Sequence, residues 1–137
     1  MMINDGESND KVGHPASRRY TSEVAARARI GKRYTELLLQ GTVRTPFVTP
    51  ENTSVFAQYT VQVENRSDVQ KKLSELGVPT AVHYPVPLHL QPVFAELGLL
   101  KGSFPVSEVA GDKVMSLPMH PYLTQMEQDF IVSALQK

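Results

Sequence analysis

Prolines at 79, 85, 87 and 92 crowd one stretch, Pro79-Thr80-Ala81-Val82-His83-Tyr84-Pro85-Val86-Pro87-Leu88-His89-Leu90-Gln91-Pro92, which holds four of the chain's ten prolines and two of its four histidines. No regular element can pass through it. Each proline fixes its own φ and lacks a backbone N–H, and each holds the preceding residue out of the α region. Thr80 to Tyr84 has the short, β-friendly character of a strand. Pro85 and Pro87 end any ladder there, so the chain must leave a sheet and run on extended. His83, Tyr84 and His89 then stand at the mouth of that strand. Binding groups concentrate on loops held by a rigid scaffold. The plainer reading is a stiff connector carrying one stacked histidine.

The rest of the chain supplies a scaffold around this stretch. Met1 to Ser17 is polar and aperiodic and reads as unstructured, with His14-Pro15 a turn. Thr21 can cap a helix from Ser22 to about Leu39, with Val24, Ala28, Tyr34, Leu37 and Leu38 on one stripe and Gly41 just past its end. Arg27, Arg29, Lys32 and Arg33 crowd its other faces. Such a face can meet phosphates but is more often simply solvated. Thr42 to Ser54 reads as a connector. Val55 to Glu64 alternates: Val55, Ala57, Tyr59, Val61 and Val63 share one face, which predicts a half-buried antiparallel strand.

Ser67-x-x-Gln70 has the form of a capping box, opening a helix to Leu76 with Val69, Leu73 and Leu76 inward and Gly77 at its end. A short helix is expected over Val93 to Leu97, and a turn at Lys101-Gly102. A further helix runs from Ser103 or Pro105 to Lys113, with Val106, Val109, Ala110 and Val114 inward and Gly111 weakening it. Val114 to Pro118 suits a short strand. Thr124 caps a last helix to Leu135, with Met126, Phe130, Ile131 and Leu135 as its buried stripe. The sum is an α+β fold: a small antiparallel or mixed sheet of about three strands with helices on one face.

Composition removes several function classes. The chain has 137 residues, one domain's worth. Fourteen basic residues balance fourteen acidic ones, so a general nucleic-acid or membrane-surface binder is not expected. There is no cysteine, hence no disulfide, thiolate metal site or cysteine nucleophile. A cysteine-free chain without a visible signal peptide or membrane-length apolar run is expected in the cytoplasm. Two histidines with five residues between them, His83 and His89, and no carboxylate inside their motif, are not expected to form a metal site.

Three motifs occur in order: His83 to Pro92 followed by Phe94 and Leu97-Gly98; Phe104-Pro105-Val106-Ser107-Glu108; and Leu117-Pro118-Met119-His120-Pro121. Together they resemble the C-terminal small domain of the DegT/DnrJ/EryC1/StrS sugar aminotransferases, over roughly Ala25 to the C-terminus. The likeness leans towards the branch acting on UDP-linked 3-keto-N-acetylglucosamine uronic acids. The resemblance implies the small domain of a fold-type I aminotransferase, with residues 1–20 a disordered segment, 21–41 a linking helix and 42–137 the small domain proper. It also implies that a large cofactor domain is missing here, as in a fragment.

For the full-length parent the resemblance implies pyridoxal phosphate as cofactor, glutamate as amino donor, a nucleotide-sugar acceptor used in surface polysaccharide biosynthesis, and a homodimer. It implies that His83 and Tyr84 contact the nucleotide-sugar and that His89, close by, is a third substrate-binding candidate, while His120 is structural. Transamination needs a lysine that forms a Schiff base with the cofactor. Of the lysines here, Lys11, Lys32, Lys71, Lys72, Lys101, Lys113 and Lys137, none lies in the family's Ser-Phe-x-x-x-Lys type of context, and most fall on expected exposed faces and turns, where an ordinary lysine stays charged. The resemblance places the acid that pairs with the cofactor's ring nitrogen and most cofactor contacts in the large domain, so it implies no catalytic or cofactor-binding residue in this chain and no bound pyridoxal phosphate; no metal-binding residue is expected either. Two readings stay open: the small domain of a nucleotide-sugar aminotransferase, inactive alone, or a non-catalytic sugar-nucleotide-binding or dimerisation module.

Overall fold

A computed structural model describes residues 15–136. The expectations for Met1 to His14, including the turn at His14-Pro15, and those for Lys11 and Lys137 lie outside the described residues.

Helix α1 spans Pro15–Leu38, so it begins before the expected cap at Thr21 and takes in residues 15–20 of the segment read as disordered. A proline suits the first helical turn, where its missing N–H would have had no partner. Ile30, Tyr34 and Leu38 form its buried stripe. The basic residues do more than face solvent. Arg27 Nη1 donates to the carbonyls of Phe56 (3.1 Å), Ala57 (3.5 Å) and Met119 (3.3 Å), and Arg33 Nη2 meets Asp129 at 2.7 Å.

Those bonds explain a shortened strand. The alternating run Val55 to Glu64 pairs only over β1, Tyr59–Gln62. Upstream, Phe56 takes a positive φ of 42°, its N–H turns to Ser54 Oγ, and its carbonyl and that of Ala57 go to Arg27. β2, Val114–Leu117, pairs antiparallel with β1, Tyr59 opposite Leu117 and Gln62 opposite Val114. Single-residue bridges flank this pair, Arg44 with Gln62 and Ala81 with Ser116. The expected third strand, Thr80 to Tyr84, is thus reduced to one bridging residue between Pro79 and Pro85.

Helix α2 spans Arg66–Glu75. The Ser67–Gln70 capping box does not form. Asn65 precedes the helix in the left-handed region, its carbonyl accepting from Asp68 and Val69, while Gln70 reaches Thr80 Oγ1 at 3.1 Å. The C-terminus follows expectation. Gly77 has φ 76°, its N–H returns to Ser74 O, and the Val78 N–H returns to Leu73 O at 2.8 Å. This is a Schellman closure, with the apolar contact that accompanies it supplied by buried Leu73 and Val78. Leu76, expected inside, is exposed.

After 3-10 turns at Leu88–Leu90 and Pro92–Leu97, α3 spans Pro105–Lys113. Val106 and Val109 were expected inward, yet they are 84% and 51% exposed. The inward face of α3 is Gly111: a Cβ there would stand 3.2 Å from Pro85 O and from a Pro87 ring carbon. Its cost in helix propensity therefore admits the proline segment. Helix α4 spans Gln125–Gln136. Ile131 and Leu135 are buried as expected, whereas Met126 and Phe130 are 81% and 53% exposed. The stripe is turned because Gln128 occupies the inside, its Nε2 donating to Ile30 O on α1 at 3.0 Å. A buried polar side chain with such a partner is tolerated. The N-terminus of α4 carries a true capping box: Glu127 Oε2 accepts from Thr124 N–H (2.8 Å) and Oγ1 (2.7 Å), and Glu127 N–H donates back to Thr124 Oγ1. These bonds hold the Glu127 carboxyl below its ordinary range.

The core lies between α1, the two strands, α2 and α4. Tyr34 and Tyr59 are fully enclosed, their ring centroids 4.9 Å apart. Tyr34 donates to Pro118 O at 3.0 Å, and the Tyr59 and Thr35 hydroxyls meet at 2.7 Å. Burial pushes both phenols up, and Thr35 offsets this in part at Tyr59.

Candidate functional site

The site is built on the segment that leaves the sheet at Ala81. Ala81 exchanges two backbone hydrogen bonds with Ser116, the last ladder contact before Pro85 and Pro87. Beyond it His83 and Tyr84 lie in the open, Tyr84 76% exposed. The bond between them is a cis peptide, and the two rings stand edge-on with centroids 5.9 Å apart. His83 borders a cavity of about 270 Å³ with Gln58, Thr80, Ser116 and Met119. Imidazole, amide and hydroxyl groups thus line one opening, with the exposed Tyr84 phenol next in sequence to His83, a set that can hydrogen-bond sugar hydroxyls or phosphate and offer a ring for stacking.

His89 is placed differently. It is 8% exposed, and its Nε2 meets Glu108 Oε1 at 3.0 Å. Its ring packs edge-on against Phe104, centroids 4.9 Å apart. It lines a separate, largely apolar cleft of about 410 Å³ with Leu88, Phe94, Leu97, Leu99 and Phe104. The structure therefore brings His83 and Tyr84 together and sets His89 behind them as an anchored ring.

Two residues that hold this arrangement had no functional reading in the sequence. Glu108 accepts from Gly102 N–H at 2.8 and 2.9 Å and from Phe104 N–H at 3.3 Å, besides meeting His89. Burial acts to raise its pKa, but the Gly102 N–H, His89 and the Phe104 N–H outweigh it and hold the carboxyl below its ordinary range. Gly111, one turn further along α3, receives Pro85 and Pro87. The sequence signal for Glu108 was its place in Phe104-Pro105-Val106-Ser107-Glu108. For Gly111 it was a glycine inside an otherwise helical run, which points to close approach as well as to weakness.

The described lysines do not fit a Schiff-base role. Lys32 is 80% exposed at its side chain, with Glu36 at 3.9 Å. Lys113 meets Glu64 at 2.5 Å and is 35% exposed. Lys71 and Lys101 are exposed and Lys72 half-buried. A lysine primed for aldimine formation needs desolvation or a neighbour that lowers its pKa, and none of these is buried. None of the described lysines is thus placed as a Schiff-base former for pyridoxal phosphate. Nor do the described residues include three grouped His, Asp or Glu side chains that could hold a metal, or a helix long and apolar enough to cross a membrane.

Residues 16–136 match the DegT/DnrJ/EryC1/StrS aminotransferase family. The chain belongs to this family. The match begins at residue 16, somewhat before the Ala25 read from the motifs. The UDP-2-acetamido-2-deoxy-3-oxo-D-glucuronate aminotransferase of Pseudomonas aeruginosa is 46% identical over 116 residues, covering 85% of this chain and 32% of that protein. The erythromycin biosynthesis sensory transduction protein EryC1 of Saccharopolyspora erythraea is 37% identical over 113 residues, covering 82% and 31%. The chain spans about a third of the length of these curated relatives.

Among solved structures, a family aminotransferase from Brucella abortus superposes with TM-score 0.76 at 39% identity, over 82% of this chain and 30% of that one. DesV of S. venezuelae, solved with a ketimine intermediate, superposes with TM-score 0.81 at 26% identity, over 94% and 40%. A putative sugar aminotransferase of Streptococcus pneumoniae, solved with PLP and with PMP, gives 0.79 at 25% identity, over 88% of this chain. The α+β fold expected from sequence is thus that of fold-type I aminotransferases, with a smaller sheet than expected, and family members bind the cofactor.

Proposed function

We propose that this chain supplies the substrate-facing small domain of a pyridoxal-phosphate-dependent nucleotide-sugar aminotransferase of surface polysaccharide biosynthesis. The acceptor is a UDP-linked 3-keto sugar acid, glutamate is the amino donor, and the complete enzyme is a cytoplasmic homodimer. The 46% identity to the Pseudomonas enzyme supports the choice of acceptor. The observation that carries the reading is the open His83–Tyr84 pair, with His83 at the rim of a cavity that Gln58, Thr80 and Ser116 also line, on a segment anchored through His89. His83 and Tyr84 contact the nucleotide-sugar directly, and His89 steadies the segment that presents them. In the complete enzyme the cofactor supplies the electron sink for proton transfer. This chain's own residues bind and orient the sugar, and alone the chain does not transaminate.

Calorimetric titration with UDP-N-acetylglucosamine tests this reading. Binding that weakens about tenfold or more in both His83→Ala and Tyr84→Ala is expected, in line with the loss of a hydrogen bond to a charged group. Unchanged affinity in both variants refutes the assignment. Borohydride trapping after incubation with pyridoxal phosphate is expected to label no single lysine. One lysine labelled stoichiometrically refutes the statement about chemistry.

A second reading, a stand-alone binding or dimer-forming module, is favoured by the unburied state of the described lysines. Light scattering that finds a dimer, together with retained UDP-sugar binding, supports it.

A further inference from the structure

The open His83–Tyr84 pair has little packing of its own to fix it, so its position depends on what holds the residues that follow. Two contacts on α3 do this. Gly111 receives Pro85 and Pro87, and Glu108 holds His89. Glu108 also gathers the N–H groups of Gly102 and Phe104, so one carboxylate joins the turn before α3, the N-terminal turn of α3 and the 3-10 turn Leu88–Leu90. Its side chain is 12% exposed and that of His89 6%. Water therefore cannot easily replace the bond between Glu108 and His89, while the bonds to the Gly102 and Phe104 N–H groups lie in the open, and a charged acceptor bonded to several donors is stronger than a neutral one. Between this anchor and Tyr84 lie only four residues, two of them prolines of fixed φ. Displacement at His89 is therefore carried to Tyr84 rather than absorbed.

We propose that Glu108 is a positioning residue for the His83–Tyr84 pair, acting through His89 and the Pro85–Pro87 segment. The proposal rests on the reading of that pair as the sugar-nucleotide contact, but its geometric part can be measured without any ligand. Glu108→Gln is the test. The amide keeps one acceptor oxygen but turns an NH2 group towards donors that the carboxylate accepted.

In amide exchange by NMR, Leu90 and Gln91, whose N–H groups close the 3-10 turn, are expected to exchange about tenfold faster, as for a local opening. The His83 and Tyr84 resonances are expected to move, while Val61 and Met115 in the ladder change less than about twofold. Unchanged exchange at Leu90 and Gln91, or an equal rise throughout the ladder, overturns the proposal. Should the variant fail to fold, Gly111→Ala presses the same segment from its other contact. It is expected to shift the His83 and Tyr84 resonances, and unmoved resonances overturn the proposal.

The functional part is read by a double-mutant cycle with UDP-N-acetylglucosamine. Glu108→Gln is expected to weaken binding about fivefold alone, a typical coupling for contacting groups, and to add nothing in the His83→Ala background. Additive losses overturn action through the pair. No binding by the wild-type chain fails the functional reading, while the exchange measurement still decides the positioning role.

Discussion

The half of the molecule made by α1, the ladder, α2 and α4 is held in one way, and the segment from His83 to Phe104 in another. In the first, Tyr34, Leu38, Tyr59, Val61, Leu73 and Met115 are enclosed almost completely, and polar groups such as Gln128 and Arg27 serve that packing. In the second, only His89 is buried, and Val86, Leu88, Val93, Leu97 and Leu100 are largely exposed. Order comes there from prolines, one glycine contact and one carboxylate. Apolar burial scales with area and is not directional, so it supplies stability without placing any one group. A few hydrogen bonds of fixed geometry do the reverse. The comparison implies that stability and site geometry can be disturbed separately.

The largest effect is expected from truncating the first region. Leu73→Ala removes a fully enclosed side chain beneath the Schellman turn and is expected to cost about 2–5 kcal/mol in urea unfolding, leaving the His83 and Tyr84 resonances in place in the folded fraction. A cost below about 1 kcal/mol would mean that this region is packed no better than the second.

Next comes Thr124→Ala, which removes half of the capping box of α4. About 1 kcal/mol is expected, read as a lower urea midpoint with unchanged slope.

Acid separates the regions more gently. The Glu108 carboxyl titrates below its ordinary value in the folded chain. The opened segment therefore binds the proton more readily than the closed one. The stabilisation is present above the ordinary glutamate value of about 4.3 and fades as pH falls through the lower folded value. In an NMR titration from pH 6 downward, the Gly102 and Phe104 amides are expected to shift first in this segment. The Thr124 amide should follow for the same reason at Glu127. The ladder amides should stay in place. A single transition shared by all of them would erase the distinction between the two regions.

The smallest effect is expected at Met126→Ser, within about 0.5 kcal/mol of wild type, because the side chain is 81% exposed. A large loss would restore the helical stripe that the sequence suggested.

Much of this was legible in the sequence where local chemistry decides the outcome. Gly77 closing α2 and Thr124 opening α4 each follow from backbone rules that hold within a few residues, whereas the strand expected up to Pro85 stops at the single bridge of Ala81. The family resemblance was legible for a related reason, since its motifs are short and ordered. Periodicity misled where a tertiary partner overruled it. Met126 and Phe130 fit a helical stripe, yet Gln128 takes the inward position by bonding to Ile30 O, 98 residues away in sequence. Val55 to Glu64 alternates like one long strand, yet Arg27 claims the carbonyls of Phe56 and Ala57. Of the candidate site, His83 and Tyr84 could be read from the motif. The different surroundings of His89 could not, because Glu108 lies nineteen residues on, and the purpose of Gly111 appears only once Pro85 lies against it.

The single bridges at Arg44 and Ala81 have a consequence for how the chain meets other chains. A sheet of two four-residue strands would ordinarily offer two outer rows of unpaired backbone to any passing extended segment, and proteins that leave such rows open risk pairing edge to edge. Here each row is met by one residue of the chain's own backbone. A proline stands two residues away, Pro46 beyond Arg44 and Pro79 before Ala81, where no amide hydrogen is available to extend the pairing. Association through added strands, the first step towards fibrils, is thereby discouraged at both edges.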